Sequence, residues 1–543
     1  MIRALAFSLA GAACLTSGAM AGPVAEAPAG ALRGEAGEGG IAVFRGIPYA
    51  RPPVGDMRWR PPEAPEAWEG VRDTSVFGPA CPQPPSRSGS IYAGEHAAVA
   101  EDCLYLNVWT PEDARDAPVF VWIHGGSLAT GAGSEPMYDG AALAARGMVV
   151  VTINYRLGAL GYLAHPELSA ESPDGVSGNY GLLDQIEALR WIGANIAAFG
   201  GDPDNVTIAG ESAGALSVMY LMAAPDAHGL FHKAVAQSAY MISTPELRSS
   251  PHGDPAAEAV GEWLAGELGA TGIDELRGMD AQELIMAAGP TGYLPFGTVD
   301  GRVLPGQLVD VFDRGEQAPV PVLAGFNSGE IRSLRFLAPP APETAEAYAA
   351  EIGARYGDLA DAFMALYPAD DLGEAVLAAP RDALYGWTAE RLAVSQTALG
   401  TDGFLYYFDH GYPATEEADL HGFHAAEIPY VFATTDRTPE AWPAVPETPE
   451  EARLSEAMAA YWTAFARDGA PSAEGEPDWR PYGEGRAYMV FAGEPQAAEH
   501  VLPGMFELHE AVMCRRRAAG GTPWNWNTGI VAPPLPDGAP GCE

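Results

Sequence analysis

The stretch Val206-Thr207-Ile208-Ala209-Gly210-Glu211-Ser212-Ala213-Gly214 passes from a β-branched run directly into Gly-x-Ser-x-Gly and continues as Ala215-Leu216-Ser217-Val218-Met219. It reads as a strand, a sharp turn and a helix. A turn this tight forces its central residue into strained backbone geometry. Small residues two positions either side let the strand and helix approach without Cβ clashes. Ser212 is therefore expected at the exposed N-terminus of a helix, where its hydroxyl can meet a carbonyl carbon. There the backbone N–H of Ala213 points at the oxygen that gains charge, an arrangement suited to acyl transfer. The five-residue pattern alone also fits a plain Gly-rich connection, so its meaning depends on what surrounds it.

Upstream, Pro118-Val119-Phe120-Val121-Trp122-Ile123 is a continuous apolar run, the signature of a strand buried on both faces. It ends in His124-Gly125-Gly126-Ser127, where a backbone without side chains can turn its N–H groups toward a ligand oxygen. Gly125 and Gly126 are thus the natural oxyanion donors beside Ala213. Met148-Val149-Val150-Val151-Thr152-Ile153-Asn154 reads as another buried strand, and residues 180–199 have apolar residues at helical spacing. Strand, helix, strand and then the serine turn is βαβ order, which predicts a mostly parallel sheet with helices on both faces. In such sheets ligands bind at the carboxyl ends of the strands, where Gly125, Gly126 and Ser212 all fall.

The 543 residues are enough for a large core, and a hydrophobic content of 48% is that of a globular chain. We expect one catalytic domain over 22–543, because large α/β enzymes keep one sheet with long insertions. Lys and Arg number 30 against 72 Asp and Glu, a formal charge of -42 spread along the whole chain. Nucleic acid is therefore excluded as a partner class. The charge suits solubility, adaptation to salt, or exclusion of anions from a site entrance.

Residues 1–21 have a basic Arg3, an apolar core and a small-x-small ending at Ala19-Met20-Ala21, a secretory signal pattern predicting cleavage after Ala21 and a secreted or periplasmic protein. Lipidation of Cys14 is the competing reading, although Gly11-Ala12-Ala13 is a poor lipoprotein box. No other apolar run is long enough for stable membrane insertion. Export permits disulfides among Cys81, Cys103, Cys514 and Cys542. Four cysteines allow three pairings, of which nearest neighbours, Cys81 with Cys103 and Cys514 with Cys542, are the simplest. The first loop would contribute about 3 kcal/mol. Zinc is the alternative, without a Cys-x-x-Cys or His cluster to support it.

From 41 to 59 the sequence reads as short edge strands broken by turns, and the Pro-rich 61–87 as a long surface loop tied down by Cys81. Val320-Pro321-Val322-Leu323-Ala324-Gly325-Phe326-Asn327-Ser328-Gly329-Glu330 is a buried strand ending in a turn that carries a carboxylate. Phe404-Leu405-Tyr406-Tyr407-Phe408 is an aromatic strand, followed by His421-Gly422-Phe423-His424-Ala425-Ala426-Glu427. His421, His424 and Glu427, three apart, would form a metal-binding face on a helix, but Gly422 and Pro429 interrupt it, and we expect no metal and no cofactor.

The segments 44–53, 101–108, 122–126, 154–163, 178–189, 199–214, 424–432 and 461–469 together resemble the type B carboxylesterase family, the cholinesterase-like α/β-hydrolases. The resemblance implies that Ser212, Glu330 and His424 are the nucleophile, acid and base of a serine esterase. It implies ion pairs Arg58 with Glu101 and Arg156 with Asp184, and support of the site by Glu211 and Ser238. It further implies helical lid insertions at 245–314 and 344–391, with Tyr293, Leu294, Pro295 and Phe296 as candidate apolar lining. Two positions depart from the family pattern: Ser127 replaces a usual third glycine, followed by Leu128 in place of an aromatic residue, and Ala239 replaces the glycine after Gln237-Ser238.

A small-molecule ester is the expected substrate, and hydrolysis through an acyl-enzyme the expected reaction. An amidase of the same fold, or a binding module that has lost its chemistry, are the other readings of such a chain. The presence of Ser212, Glu330 and His424 speaks against the binding module.

Overall fold

The computed structural model describes residues 22–542 except 88, 95, 484, 525, 526 and 537. The predicted signal segment and Cys14 lie outside the described residues. The described residues form fourteen strands: β1 (Val24–Ala27), β2 (Gly30–Arg33), β3 (Glu35–Ala36), β4 (Ile41–Pro48), β5 (Val71–Asp73), β6 (Tyr105–Pro111), β7 (Ala117–Ile123), β8 (Val149–Ile153), β9 (Gly201–Glu211), β10 (Lys233–Gln237), β11 (Val322–Asn327), β12 (Gly403–Phe408), β13 (Ala487–Phe491) and β14 (Pro495–Glu499).

Eleven of them make one sheet in the order β14-β13-β12-β11-β10-β9-β7-β8-β6-β4-β3. The strands from β8 through β7, β9, β10, β11 and β12 to β13 are parallel, and the outer strands on both sides pair antiparallel. Four of the parallel strands, β7, β8, β10 and β11, are buried at every residue. A strand covered on both faces has no polar alternation to show.

Period-two geometry divides β7 between two cores. Val119, Val121 and Ile123 pack on one side with Ile186 and Leu189 of helix Tyr180–Asn195, Leu216 of Ala213–Ala223 and Leu392 of Trp387–Ala398. Phe120 and Trp122 face the other way, toward Leu454, Met458, Trp462 and Phe465 of helix Pro449–Asp468. That helix is stopped by Gly469, whose φ of 79° is a conformation costly for any residue with a Cβ.

The amino-terminal expectations need adjustment. Strand β4 lies one place in from the sheet edge, because the two-residue β3 covers it. A break in register between Phe44 and Ile47 bends it at Gly46, where a Cβ would sit 2.6 Å from the Val76 carbonyl oxygen. The Pro-rich region contributes β5, which joins β1 and β2 in a separate three-stranded sheet.

Both nearest-neighbour disulfides are present, Cys81–Cys103 and Cys514–Cys542. The second fastens the carboxyl terminus to helix Met505–Ala519. No helix among the described residues is long and apolar enough to cross a membrane.

Residues 245–314 hold the helices Ala257–Glu267, Ile273–Arg277, Ala281–Ala288 and Leu308–Asp313. Residues 344–391 hold Ala345–Tyr356, Ala360–Leu366 and Leu372–Arg381, then a π-helical turn, Asp382–Gly386, that leads into Trp387–Ala398. This last helix lies against β11 and β12.

Candidate active site

Four adjacent parallel strands deliver the candidate residues to one end of the sheet. β7 ends before Gly125, β9 before Ser212, β10 before Ser238 and β11 before Glu330. At the end of β9 the chain turns within one residue: Ser212 has φ 55° and ψ −120°, and helix Ala213–Ala223 begins at once. A non-glycine residue with positive φ is strained, and the surroundings show why it stays there. A Cβ on Gly214 would lie 2.0 Å from the Ile123 oxygen, and one on Gly210 would lie 2.5 Å from the Gly214 carbonyl carbon. Only glycine permits the strand and helix to close in on Ser212. The Ser212 amide donates to the Gln237 oxygen at 2.9 Å, holding the turn to β10. Ser212 stays half-buried while its neighbours Glu211 and Ala213 are fully buried.

Gly125 lies directly against this turn, where a Cβ would come within 2.8 Å of the Glu211 oxygen and 3.2 Å of the Ser212 Cβ. Gly126, with φ 101°, has room for no side chain either, since a Cβ would meet the Thr130 oxygen at 2.3 Å. Ser127 and Leu128 then continue in left-handed backbone at φ 56° and 57°. The positive φ explains why glycine suits position 127, and this chain tolerates serine there by accepting the strain.

Glu330 is completely buried three residues beyond the end of β11. Its Oε1 accepts from the Asn327 amide at 2.8 Å, and its Oε2 pairs with Nδ1 of His424. The backbone holds the two segments together as well, for the Gly329 amide donates to the Gly422 oxygen at 2.7 Å. Carboxylate and imidazole, 94 residues apart in sequence, are thus in contact.

The other ring nitrogen is a correction to what was expected of Glu211. Nε2 of His424 stands 3.1 Å from Oε1 of Glu211, so this glutamate touches the imidazole itself instead of supporting the site from behind. The Ser212 hydroxyl makes no hydrogen bond to the ring. Ser238 is buried at φ 50° with its hydroxyl unpartnered, and its amide donates to the Gly325 oxygen at 2.9 Å.

Three buried glutamates face one imidazole. Burial alone would lower the His424 pKa, but the charges of Glu211 and Glu330 outweigh it and raise it to about 9. Burial pushes Glu211 up to about 8, against the pull of His424 and with the repulsion of Glu427 and Glu330. The two groups titrate as a pair, and both shifts say that the cluster holds protons more tightly than isolated side chains would. The reference value near 6.5, expected for a histidine in an unperturbing site, does not apply.

Sequence reading missed the role of Glu427, which it met only as a possible metal ligand. Its carboxylate accepts from Gln237 Nε2 at 2.8 Å and Asn327 Nδ2 at 2.6 Å, linking the ends of β10 and β11 to the histidine segment. His421 instead pairs with Glu416 and Asp419, so the three side chains have separate partners. Two aromatic neighbours of His424 also went unnoticed: Tyr385, on the π-helical turn with its ring centroid 5.3 Å away, and Tyr92. Neither sits in a pattern that marks it in sequence.

His124 is structural, stacked on Tyr155 at 4.6 Å, with burial pushing its pKa down to about 4. Arg58 and Glu101 form a two-pronged ion pair at 2.5 and 2.7 Å. Arg156 and Asp184 form another at 2.7 Å, with both side chains almost wholly out of solvent. Tyr293 and Phe296 line a depression of about 360 Å³ with Tyr162, Pro245 and Trp263, in which Leu294 is largely exposed.

A mostly parallel sheet layered with helices, a strained serine turn at its carboxyl edge and a histidine bonded to a carboxylate from the end of a neighbouring strand define an α/β-hydrolase fold. Residues 21–504 match the Carboxylesterase family. A fumonisin B1 esterase from Sphingopyxis macrogoltabida is 38% identical over 480 residues, covering 85% of each chain. The para-nitrobenzyl esterase of Bacillus subtilis (strain 168) is 35% identical over 82% of this chain and 90% of its own. A solved PNB esterase superposes with a TM-score of 0.77 at 33% identity, covering 89% of this chain and 99% of that one. The chain belongs to the carboxylesterase family and is a carboxylic-ester hydrolase acting on small-molecule esters.

Proposed function

We propose that hydrolysis runs through an acyl-enzyme on Ser212, with His424 as base and Glu330 as the carboxylate that orients it. In the first step the Ser212 hydroxyl attacks the ester carbonyl and its proton passes to Nε2 of His424. The tetrahedral oxyanion is held by the amides of Gly125, Gly126 and Ala213. His424 then returns the proton to the departing alcohol. Water, deprotonated by the same nitrogen, attacks the acyl carbon; the acid departs and the proton on Nε2 returns to the Ser212 oxygen. Glu330 fixes the tautomer that leaves Nε2 available and offsets the transient imidazolium charge. Ser238 supports the site from behind, while Glu211 stands against the imidazole itself.

The observation that carries this reading is the Glu330–His424 bond, made at the strand ends where Ser212 occupies its strained turn. A chromogenic ester tests it: a burst of leaving group equal to the enzyme present, absent in Ser212→Ala, is expected. Ester should turn over faster than its isosteric amide, since an amide nitrogen must be protonated before it can leave, whereas an alkoxide needs less help.

We read 22–543 as one catalytic domain and the helices of 245–314 and 344–391 as insertions that govern which esters enter. We assign the protein to the periplasm or the exterior, with residues 1–21 removed on export. The two disulfides support that placement, because such bonds persist in oxidising compartments.

A further inference from the structure

The loop closed by the Cys81–Cys103 disulfide carries Tyr92 to His424. The Tyr92 hydroxyl oxygen lies 2.9 Å from the carbonyl oxygen of His424 and 2.7 Å from Oγ of Ser333. A carbonyl oxygen only accepts, so the phenol proton goes to His424 and the phenol oxygen accepts from Ser333. Ser333 is the last residue of the short helix that opens with Glu330. One side chain therefore ties the segment bearing the imidazole to the segment bearing its carboxylate. The ring stands edge-on to His424 at 6.4 Å and 78°, and to Trp442 at 6.2 Å and 84°.

Core packing does not account for Tyr92, which is 38% exposed. Its loop has another tie to the body at Gln83, whose side chain exchanges two hydrogen bonds with Gly131 at 2.8 and 3.0 Å. The backbone bond from Gly329 to Gly422 ties the two segments two residues before His424, and the Glu330 carboxylate holds Nδ1. The carbonyl of His424 itself is held by Tyr92. Without that bond the segment carrying the imidazole would be held only by the Gly329–Gly422 bond and the Glu330 carboxylate.

We propose that Tyr92 is a positioning residue for ester hydrolysis, its hydroxyl bracing the His424 carbonyl against Ser333 so that the imidazole keeps one tilt between Glu330, Glu211 and the Ser212 turn. This rests on the reading of Ser212, His424 and Glu330 given above. The effect belongs in the chemical step: a displaced base lowers kcat while leaving the binding of ester unchanged.

The test uses Tyr92→Phe, which keeps the ring and removes the hydroxyl, with Ser333→Ala and the double variant. Tyr92→Phe is expected to lower kcat about tenfold with KM within about twofold, and the double variant is expected to be no worse than the single one, since both remove the same brace. A fluorophosphonate probe should still label each variant at one per chain, only more slowly. Wild-type kcat in Tyr92→Phe, or single effects that multiply in the double variant, would overturn the proposal. So would a lowered melting temperature with unchanged kcat per labelled site, which is the mark of a purely structural role. Labelling of Ser212→Ala at one per chain would instead overturn the reading on which the proposal rests.

Discussion

Oε1 of Glu211 stands 3.1 Å from Nε2 of His424, the ring nitrogen that takes the serine proton in the proposed mechanism. The residue immediately before Ser212 thus competes with it for the imidazole. A charged Glu211 holds His424 protonated, so the free enzyme gains its base only as this pair loses a proton. The acid limb of kcat/KM is therefore expected above the reference histidine value of about 6.5. Replacing Glu211 by Gln removes one of the negative charges that raise the histidine pKa, and the limb should move to lower pH. A pH–kcat/KM profile measures this; an unmoved limb, or one displaced upward, would mean that Glu211 does not set the protonation of His424.

Gly125→Ala should leave the fold intact and damage the chemistry. The added methyl would press on the Glu211 carbonyl at 2.8 Å and on the Ser212 side chain at 3.2 Å, displacing the first amide of the proposed oxyanion hole. Loss of one such donor costs about 3 kcal/mol of barrier, so kcat should fall about a hundredfold or more. Steady-state kinetics beside a melting curve would separate this from unfolding, and near-normal kcat would remove Gly125 from the oxyanion site.

Asp184→Asn tests the packing beneath the site. Asp184 receives the Arg156 amide at 3.0 Å and the guanidinium at 2.7 Å, with no exposure of its own. Neutralising it leaves a buried arginine charge uncompensated, which typically costs about 3–5 kcal/mol. Chemical denaturation should show a loss of that size; a change below about 1 kcal/mol, the worth of an exposed pair, would mean that water reaches the site.

The central strands and the serine turn were legible because burial on both faces writes an unbroken apolar run, and a tight turn demands glycine at fixed positions. Gly210, Gly214, Gly125 and Gly126 each stand where a Cβ would collide with backbone. Contacts set by tertiary convergence left no such trace. Glu211 precedes Ser212 in sequence, yet its closeness to His424 depends on how a segment 213 residues later is folded back. Glu427 drew notice only for falling three residues after His424, whereas the ends of β10 and β11 supply its partners. Tyr92 lies in a loop without periodicity, and β1, β2 and β5 are too short and too exposed to show alternation.

Ser212→Ala tests the account most directly. With the hydroxyl gone, no acyl-enzyme can form, so ester turnover should fall to background while the melting temperature stays within a few degrees of wild type, because the hydroxyl makes no hydrogen bond in the folded protein. A Ser212→Ala protein that still hydrolyses ester at the wild-type rate would contradict the account at its centre.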